Sequence, residues 1–265
     1  MIDQHIHTAL SPDADKRSTL EAIVKQAHAQ GLTAVALTDH VDFDCPTPLF
    51  HRLPDAMALK RQIDAYASQT DVDLRLGVEL GYQPHVVDRM RDWVLAHPFD
   101  VVLLSVHYVD RLDPYDGSFF AHRSAFEAYD LYFKTVLEAV ERFDDFDVLT
   151  HLDYIARYAP YENTGFVFEA HKVRLKALFE ALIRKDKILE LNTNPWRKGM
   201  THAHPHPEIL AWYHACGGRR VSLGSDAHKP DQVGADLKRA CALLKSLGFT
   251  HITSVKKRKF ADVIL

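Results

Sequence analysis

The sequence predicts an α/β protein folded as a barrel of parallel strands with helices outside. Three observations carry that prediction. Short apolar runs alternate with amphipathic helical segments about seven times along the 265 residues. Strand–helix alternation implies a parallel sheet with right-handed crossovers, and seven or eight units in a chain of about 260 residues suit a barrel better than an open sheet. Nearly every strand also ends in an imidazole or a carboxylate. No Pro/Gly/Ser-rich linker, low-complexity segment or longer repeat divides the chain, so residues 1–265 read as one domain. A doubly wound sheet is the alternative.

The elements follow in order. Ile2 to His7 reads as the first strand, and Ser18-Thr19-Leu20-Glu21 as a capping box whose helix ends at Gly31. TAVALTDH (33–40) is a buried strand running into polar residues. Next come a helix over about 53–68, the strand LRLGVELGY (74–82), a helix near 86–96 and the strand DVVLLSVHY (100–108). A long helix over about 124–143 precedes FDVLTHLDY (146–154), and a helix over about 167–185 precedes KILELNTNP (187–195). Pro205 or Pro207 opens a helix that ends near Gly217. RRVSLGSDAH (219–228) is the seventh strong strand signal, a last helix fills 231–247, and FTHITSV (249–255) suggests a short final strand.

Composition narrows the function. Hydrophobic residues make up 47% and charged residues 26%, ordinary values for a globular chain. The net charge of -4 offers no field to recruit nucleic acid. Cys45, Cys216 and Cys241 form no CxxC pair, which speaks against a disulfide framework and a thiolate zinc site. No basic segment leads into an apolar run near the start, and no apolar stretch is long enough to span a membrane. The expected setting is therefore reducing and cytoplasmic, without a membrane partner. Histidine is the outlier, with seventeen.

The strand ends show where those histidines fall. They present His5 and His7, Asp39 and His40, Glu79, His107, His151, Asn192 and Asn194, and Asp226 and His228. In a barrel such ends converge on one mouth, where active sites form. His5 and His7 are two apart, so on a strand both point the same way, as two ligands of one metal must. With Asp13 from the loop after the first strand there are nine candidate ligands: His5, His7, Asp13, His40, Glu79, His107, His151, Asp226 and His228. Nitrogen and oxygen donors suit Zn, Mn or Fe, and nine are too many for one ion but fit two or three. His28, His97, His171, His214 and His251 read as surface or packing. His202, His204 and His206 read as a solvated loop before a helix.

HIHTALSPD, TDH, GVE, SVH, a lone strand-end His and SDAH occur in the order of the motifs of the PHP (polymerase and histidinol phosphatase) superfamily, which the chain resembles over residues 1 to about 230. LLSVHYVD (103–110), VLTHLDYIARY (148–158), ELNTNPWRKG (190–199) and VSLGSDAHKP (221–230) resemble its monofunctional histidinol-phosphate phosphatases. The resemblance implies a distorted (β/α)7 barrel with a trinuclear metal centre. By motif position, His5, His7, Glu79 and Asp226 would hold one ion. Glu79, His107 and His151 would hold a second, with Glu79 bridging. Asp13, His40 and His228 would hold a third, Asp13 standing where some relatives have His.

The expected activity is hydrolysis of the small phosphomonoester L-histidinol phosphate, in histidine biosynthesis. Divalent ions acidify water, and the resulting hydroxide attacks phosphorus in line. Arg157 and Arg197 follow strand ends at the same mouth, with Lys198 beside Arg197, and are the candidate phosphate binders. A metal-bound water, Asp226 or His228 is the candidate proton donor to the leaving alkoxide. Asp42, Phe43, Asp44, Tyr161 and Glu162 lie in loops that could meet the ammonium and imidazole of the substrate. The chief rival is a PHP-type phosphoesterase or exonuclease acting on nucleotides or nucleic acid. It draws on the one basic run, KKRK at 256–259, which reads more simply as a solvated face. An inactive structural module does not need so many ligands. An amidohydrolase commonly needs a lysine just past a middle strand, and none stands there.

Overall fold

Runs of Val, Ile and Leu without alternating polarity become strands buried on both faces, as a parallel sheet between a filled interior and a helical layer requires. The protein is described here by a computed structural model covering residues 1–265. Its main strands are β1 (Ile2–Ile6), β2 (Ala34–Leu37), β3 (Asp73–Gly81), β4 (Val101–Ser105), β5 (Val148–Leu149), β6 (Ile188–Asn192) and β7 (Val221–Gly224). They are parallel neighbours in chain order. A short segment, His40–Val41, pairs with Glu79 and Leu80 of β3 and sets His40 beside Glu79. The ends of the sheet meet: Asp226 N–H donates to the His5 carbonyl and His7 N–H to the Ala227 carbonyl, both at 2.8 Å. That closure makes the distorted (β/α)7 barrel and fastens the two ends of the chain's motif series to each other.

The longer helices are α1 (Leu20–Gln30), α2 (Ala56–Tyr66), α3 (Val87–Ala96), α4 (Ala125–Arg142), α5 (Phe168–Arg184), α6 (Pro207–Ala215) and α7 (Leu237–Ser246). Their apolar faces join the outer faces of the strands in a cluster of 62 buried residues. Gly31 ends α1 at φ 65, a backbone region that suits glycine. The cap of α1 sits one residue later than the sequence suggests. Thr19 accepts from Ala22 N–H, while the Ser18 hydroxyl donates to the His228 carbonyl at 3.1 Å and ties the helix entry to the end of β7. The full capping box lies instead at Ser124 and Glu127 on α4.

The last segment differs from expectation. Residues 249–255 do supply a strand, β8 (His251–Lys256), but it turns through Lys257 and Arg258 into an antiparallel partner, β9 (Lys259–Ile264). This hairpin closes the bottom of the barrel. Gln4 donates to the Thr253 carbonyl at 2.8 Å and accepts from Val255 N–H at 2.7 Å. Arg75 donates to Ser254 Oγ and the Val255 carbonyl. Val255 packs among Ala36, Val101, Leu103, Val148 and Ile188 inside the barrel. The barrel is thus apolar below, and its polar residues collect above. No helix is long and apolar enough to cross a membrane.

Val255→Ala should leave a cavity at this plug and cost roughly 1–3 kcal/mol of stability, read as a lower urea midpoint at unchanged slope.

Candidate metal centre

The two-residue spacing of His5 and His7 works as expected: both rings enter the top of the barrel, with their Nε2 atoms 3.2 Å apart. Glu79, from β3, stands at the centre. Its Oε2 lies 3.1 Å from His5 Nε2, 3.4 Å from His7 Nε2 and 3.1 Å from His40 Nδ1. Its Oε1 lies 3.1 Å from His107 Nε2 and 2.9 Å from His151 Nε2, and accepts from the Ser105 hydroxyl at 2.6 Å. Asp226 Oδ1 is 3.4 Å from His7 Nε2 and 3.8 Å from His5 Nε2. Asp13 Oδ2 faces His228 Nε2 at 2.9 Å and His40 Nε2 at 3.5 Å. All nine residues singled out from the sequence therefore meet in one place. Six are buried, His40 and His228 are half-buried, and Asp13 is at the solvent edge.

Packed this tightly, the groups set one another's charge. Burial opposes charge on His5, but the carboxylates of Glu190, Glu79 and Asp226 outweigh it and hold His5 well above its usual range. His40 behaves likewise against burial, through Glu79 and Asp13. His107 is raised to about 9 against burial, by Asp42 and Glu79. His7 goes the other way, to about 3, through burial and the nearby His228 and His40. Burial alone would raise Glu79, yet His40, His5 and His107 hold it well below the carboxylate range. Protons satisfy this arrangement poorly. Two imidazole nitrogens face each other at 3.2 Å, and buried His40 Nδ1 makes no hydrogen bond. Groups of three converging donors lie within 4.8 Å of one another: His5, His7 and Glu79; Glu79, His107 and His151; and His7, His40 and His228. Such nitrogen and oxygen sets fit divalent metal ions.

Carboxylates behind the cluster orient it. Glu190 accepts from His5 Nδ1 at 2.7 Å and from His151 N–H at 2.9 Å. Asp42 accepts from His107 Nδ1 at 2.8 Å. A carboxylate on the far nitrogen fixes the tautomer and turns Nε2 inward. Two glycines make room. A Cβ at Gly224 would overlap Glu190 Oε1, and one at Gly81 would overlap Asp42 Oδ1. Asp226 holds φ 52, sparsely populated for a residue with a side chain, so that the backbone turns sharply at the cluster.

Glu190 was not singled out from the sequence. Its signal is a charged residue at an inward position of the otherwise apolar run KILELN. Asp42 was read as a loop residue for the substrate; it is buried and committed to His107. Asp42 still borders the cavity, whereas the other loop candidates lie outside it. Phe43 packs under the Arg89 guanidinium, Asp44 pairs with His85 and Arg111, the Tyr161 hydroxyl donates to the Arg123 carbonyl, and Glu162 is exposed outside the cavity. His204 is fully buried, not solvated, because Asp153 accepts from its Nδ1 at 2.6 Å and its backbone pairs with Asn192.

A cavity of about 420 Å³ opens above the cluster. Arg157 and Lys198 line it, and so does Lys229. The Arg157 guanidinium sits 3.5 Å from Asp226 Oδ2 and packs against the rings of both Tyr154 and Tyr158, and its Nε and Nη2 have no hydrogen-bond partner. Arg197 does not line the cavity. It donates to Thr193 Oγ1 and to the Ser225 carbonyl, bracing the ends of β6 and β7 from behind. It therefore braces the wall where the sequence suggested a phosphate ligand.

Residues 3–194 match the family described as the PHP domain. The histidinol-phosphatase of Lactococcus lactis is 28% identical over 260 residues, 97% of this chain and 95% of that protein. The probable histidinol-phosphatase of Thermotoga maritima is 28% identical over 268 residues, covering both chains fully. Among solved structures, the histidinol phosphate phosphatase of Lactococcus lactis complexed with zinc, L-histidinol and phosphate superposes with a TM-score of 0.88 at 26% identity, covering 98% of each chain. The fold is also that of a Listeria monocytogenes protein described as a putative histidinol phosphatase, with a TM-score of 0.74 at 16% identity over 91% of this chain and all of that one.

Glu190→Gln should lower divalent-metal affinity about 10–100-fold, measured by competition with a chelator of known affinity.

Proposed function

The chain belongs to the PHP domain family, and from that premise we propose a metal-dependent phosphomonoesterase that hydrolyses L-histidinol phosphate to L-histidinol and phosphate in histidine biosynthesis. One observation carries the chemistry: seven of the nine cluster residues line a cavity together with a buried arginine, Arg157, whose Nε and Nη2 have no hydrogen-bond partner. The ligand sets are His5, His7, Glu79 and Asp226; Glu79, His107 and His151; and Asp13, His40 and His228. Two or three ions are assigned to them, of zinc, manganese or iron. Bound ions supply positive charge to phosphate oxygens and acidify water.

The chain's own residues do the rest. Arg157, packed against two aromatic rings and against Asp226, offers N–H donors to a phosphate oxygen. Lys198 and Lys229 add positive charge at the rim. Asp226 and His228 both border the cavity, and the proton for the leaving alkoxide oxygen is assigned to this pair. No serine or cysteine lines the cavity, which suits attack by water. Arg197 keeps the wall in register.

The nucleic-acid alternative gains nothing from KKRK. That run is the turn of the C-terminal hairpin, at the end of the barrel opposite the cluster. Lys256 pairs with Asp73 at 2.7 Å and Arg258 with Asp147 at 2.6 Å. A cytoplasmic setting agrees with three free cysteines.

Phosphate release from histidinol phosphate, compared with other phosphomonoesters and a single-stranded oligonucleotide, tests the reading. Histidinol phosphate should give the highest kcat/KM, lost on chelation and regained with Mn²⁺ or Zn²⁺. Preference for the oligonucleotide would refute the reading. Arg157→Ala should lower kcat/KM about 100–1,000-fold in steady-state assays without loss of metal.

A further inference from the structure

Besides the histidine cluster, Arg157 and the lysines, the cavity is lined by five aromatic rings, Tyr108, Tyr115, Tyr154, Tyr158 and Phe50, and by a further carboxylate, Asp113. Asp113 is 8% exposed, yet the groups that reach its carboxylate are neutral: Tyr115 N–H at 2.7 Å and the Thr47 hydroxyl at 3.2 Å. Its backbone N–H donates to Ser118 Oγ at 2.9 Å, and its carbonyl accepts from Phe119 N–H at 3.3 Å, so the loop fixes its place. A carboxylate offers about four acceptor sites, and two are used here. A carboxylate kept this far from water without a cation is costly. A cationic ligand entering the cavity would offset that cost. Tyr115, 73% exposed, leans edge-on against Tyr158 at 5.6 Å and forms an aromatic rim beside it.

We propose that Asp113 is the specificity residue for the leaving alcohol, accepting hydrogen bonds from its nitrogen while the tyrosine wall stacks on its ring. The proposal rests on the reading of the site as a histidinol-phosphate phosphatase. It divides the work between side chains: the histidine cluster and Arg157 take the phosphoryl group, and Asp113 selects what that group is attached to. A site built around a hydrogen bond to one ligand group discriminates strongly against analogues that lack it, because its own polar group is then left unpaired. L-Histidinol carries two suitable nitrogen groups, the ammonium and the imidazole.

The test compares histidinol phosphate with glycerol phosphate, which has no nitrogen, and phosphoethanolamine, which has only the ammonium. In Asp113→Asn, the kcat/KM ratio of histidinol phosphate to glycerol phosphate should fall at least tenfold, mainly through KM. Asp113→Glu, which keeps the charge, should retain more of it. If phosphoethanolamine falls in step with histidinol phosphate, Asp113 takes the ammonium; if only histidinol phosphate falls, it takes the imidazole; both outcomes support the proposal. An unchanged ratio, with all three substrates falling together or none, overturns it. Tyr115→Ala, at an exposed position where folding is not at stake, should lower the same ratio severalfold, and no change there also overturns it. Failure of the wild-type enzyme on histidinol phosphate, while it hydrolyses glycerol phosphate, would instead refute the proposed function and the inference with it.

Discussion

Five imidazoles press on the two oxygens of Glu79 in the upper barrel, and much of the structure answers that crowding. Buried charges are tolerated only when they are paired. Here the nitrogens that need opposite charge outnumber the carboxylates that could supply it, so protons alone leave His7 uncharged and His40 Nδ1 unbonded. Divalent ions resolve the conflict, since each replaces several protons and accepts lone pairs from several sides. The same crowding explains the carboxylates outside the cluster. Glu190 and Asp42 hold the far nitrogens of His5 and His107 so that the near ones stay turned inward.

The barrel makes this crowding possible by separating two kinds of interior. Below, Val255 and its aliphatic neighbours fill the space and the C-terminal hairpin seals it. Above, side chains from all seven strands meet, because parallel strands deliver their C-terminal ends to one mouth. The join between β1 and β7 matters most. It fastens the backbone of His5 to that of Asp226, bringing together residues from the two ends of the motif series. Small residues are needed where the supports cross. Gly81 and Gly224 leave the space through which Asp42 and Glu190 reach their histidines.

The parts of the fold and the site that could be read from the sequence share one property: their cause is local. Apolar runs, the Gly31 stop and the two-residue step from His5 to His7 are written in neighbouring residues. The shared position of polar residues at strand ends followed from the barrel, and so the nine cluster residues could be read together. Readings failed where distant contacts decide. Arg197 looked like a phosphate ligand by position, yet it lies outside the cavity and both of its terminal nitrogens donate to the wall, to Thr193 Oγ1 and to the Ser225 carbonyl across the neighbouring strand end. Phe43, Asp44, Tyr161 and Glu162 shared the loops but not the cavity, because loop paths depend on packing that no short motif encodes. The hairpin partner strand 259–264 was missed because its turn residues, Lys257 and Arg258, carry no glycine or asparagine signal.

A cluster built around several divalent ions should keep them through purification, and elemental analysis of the purified, dialysed protein counts them. Two to three zinc, manganese or iron ions per chain are expected, falling to below one when His5 and His7 are both replaced by alanine in protein that remains folded. Less than one ion per chain in the native protein, together with full phosphatase activity, would contradict a cluster of that kind.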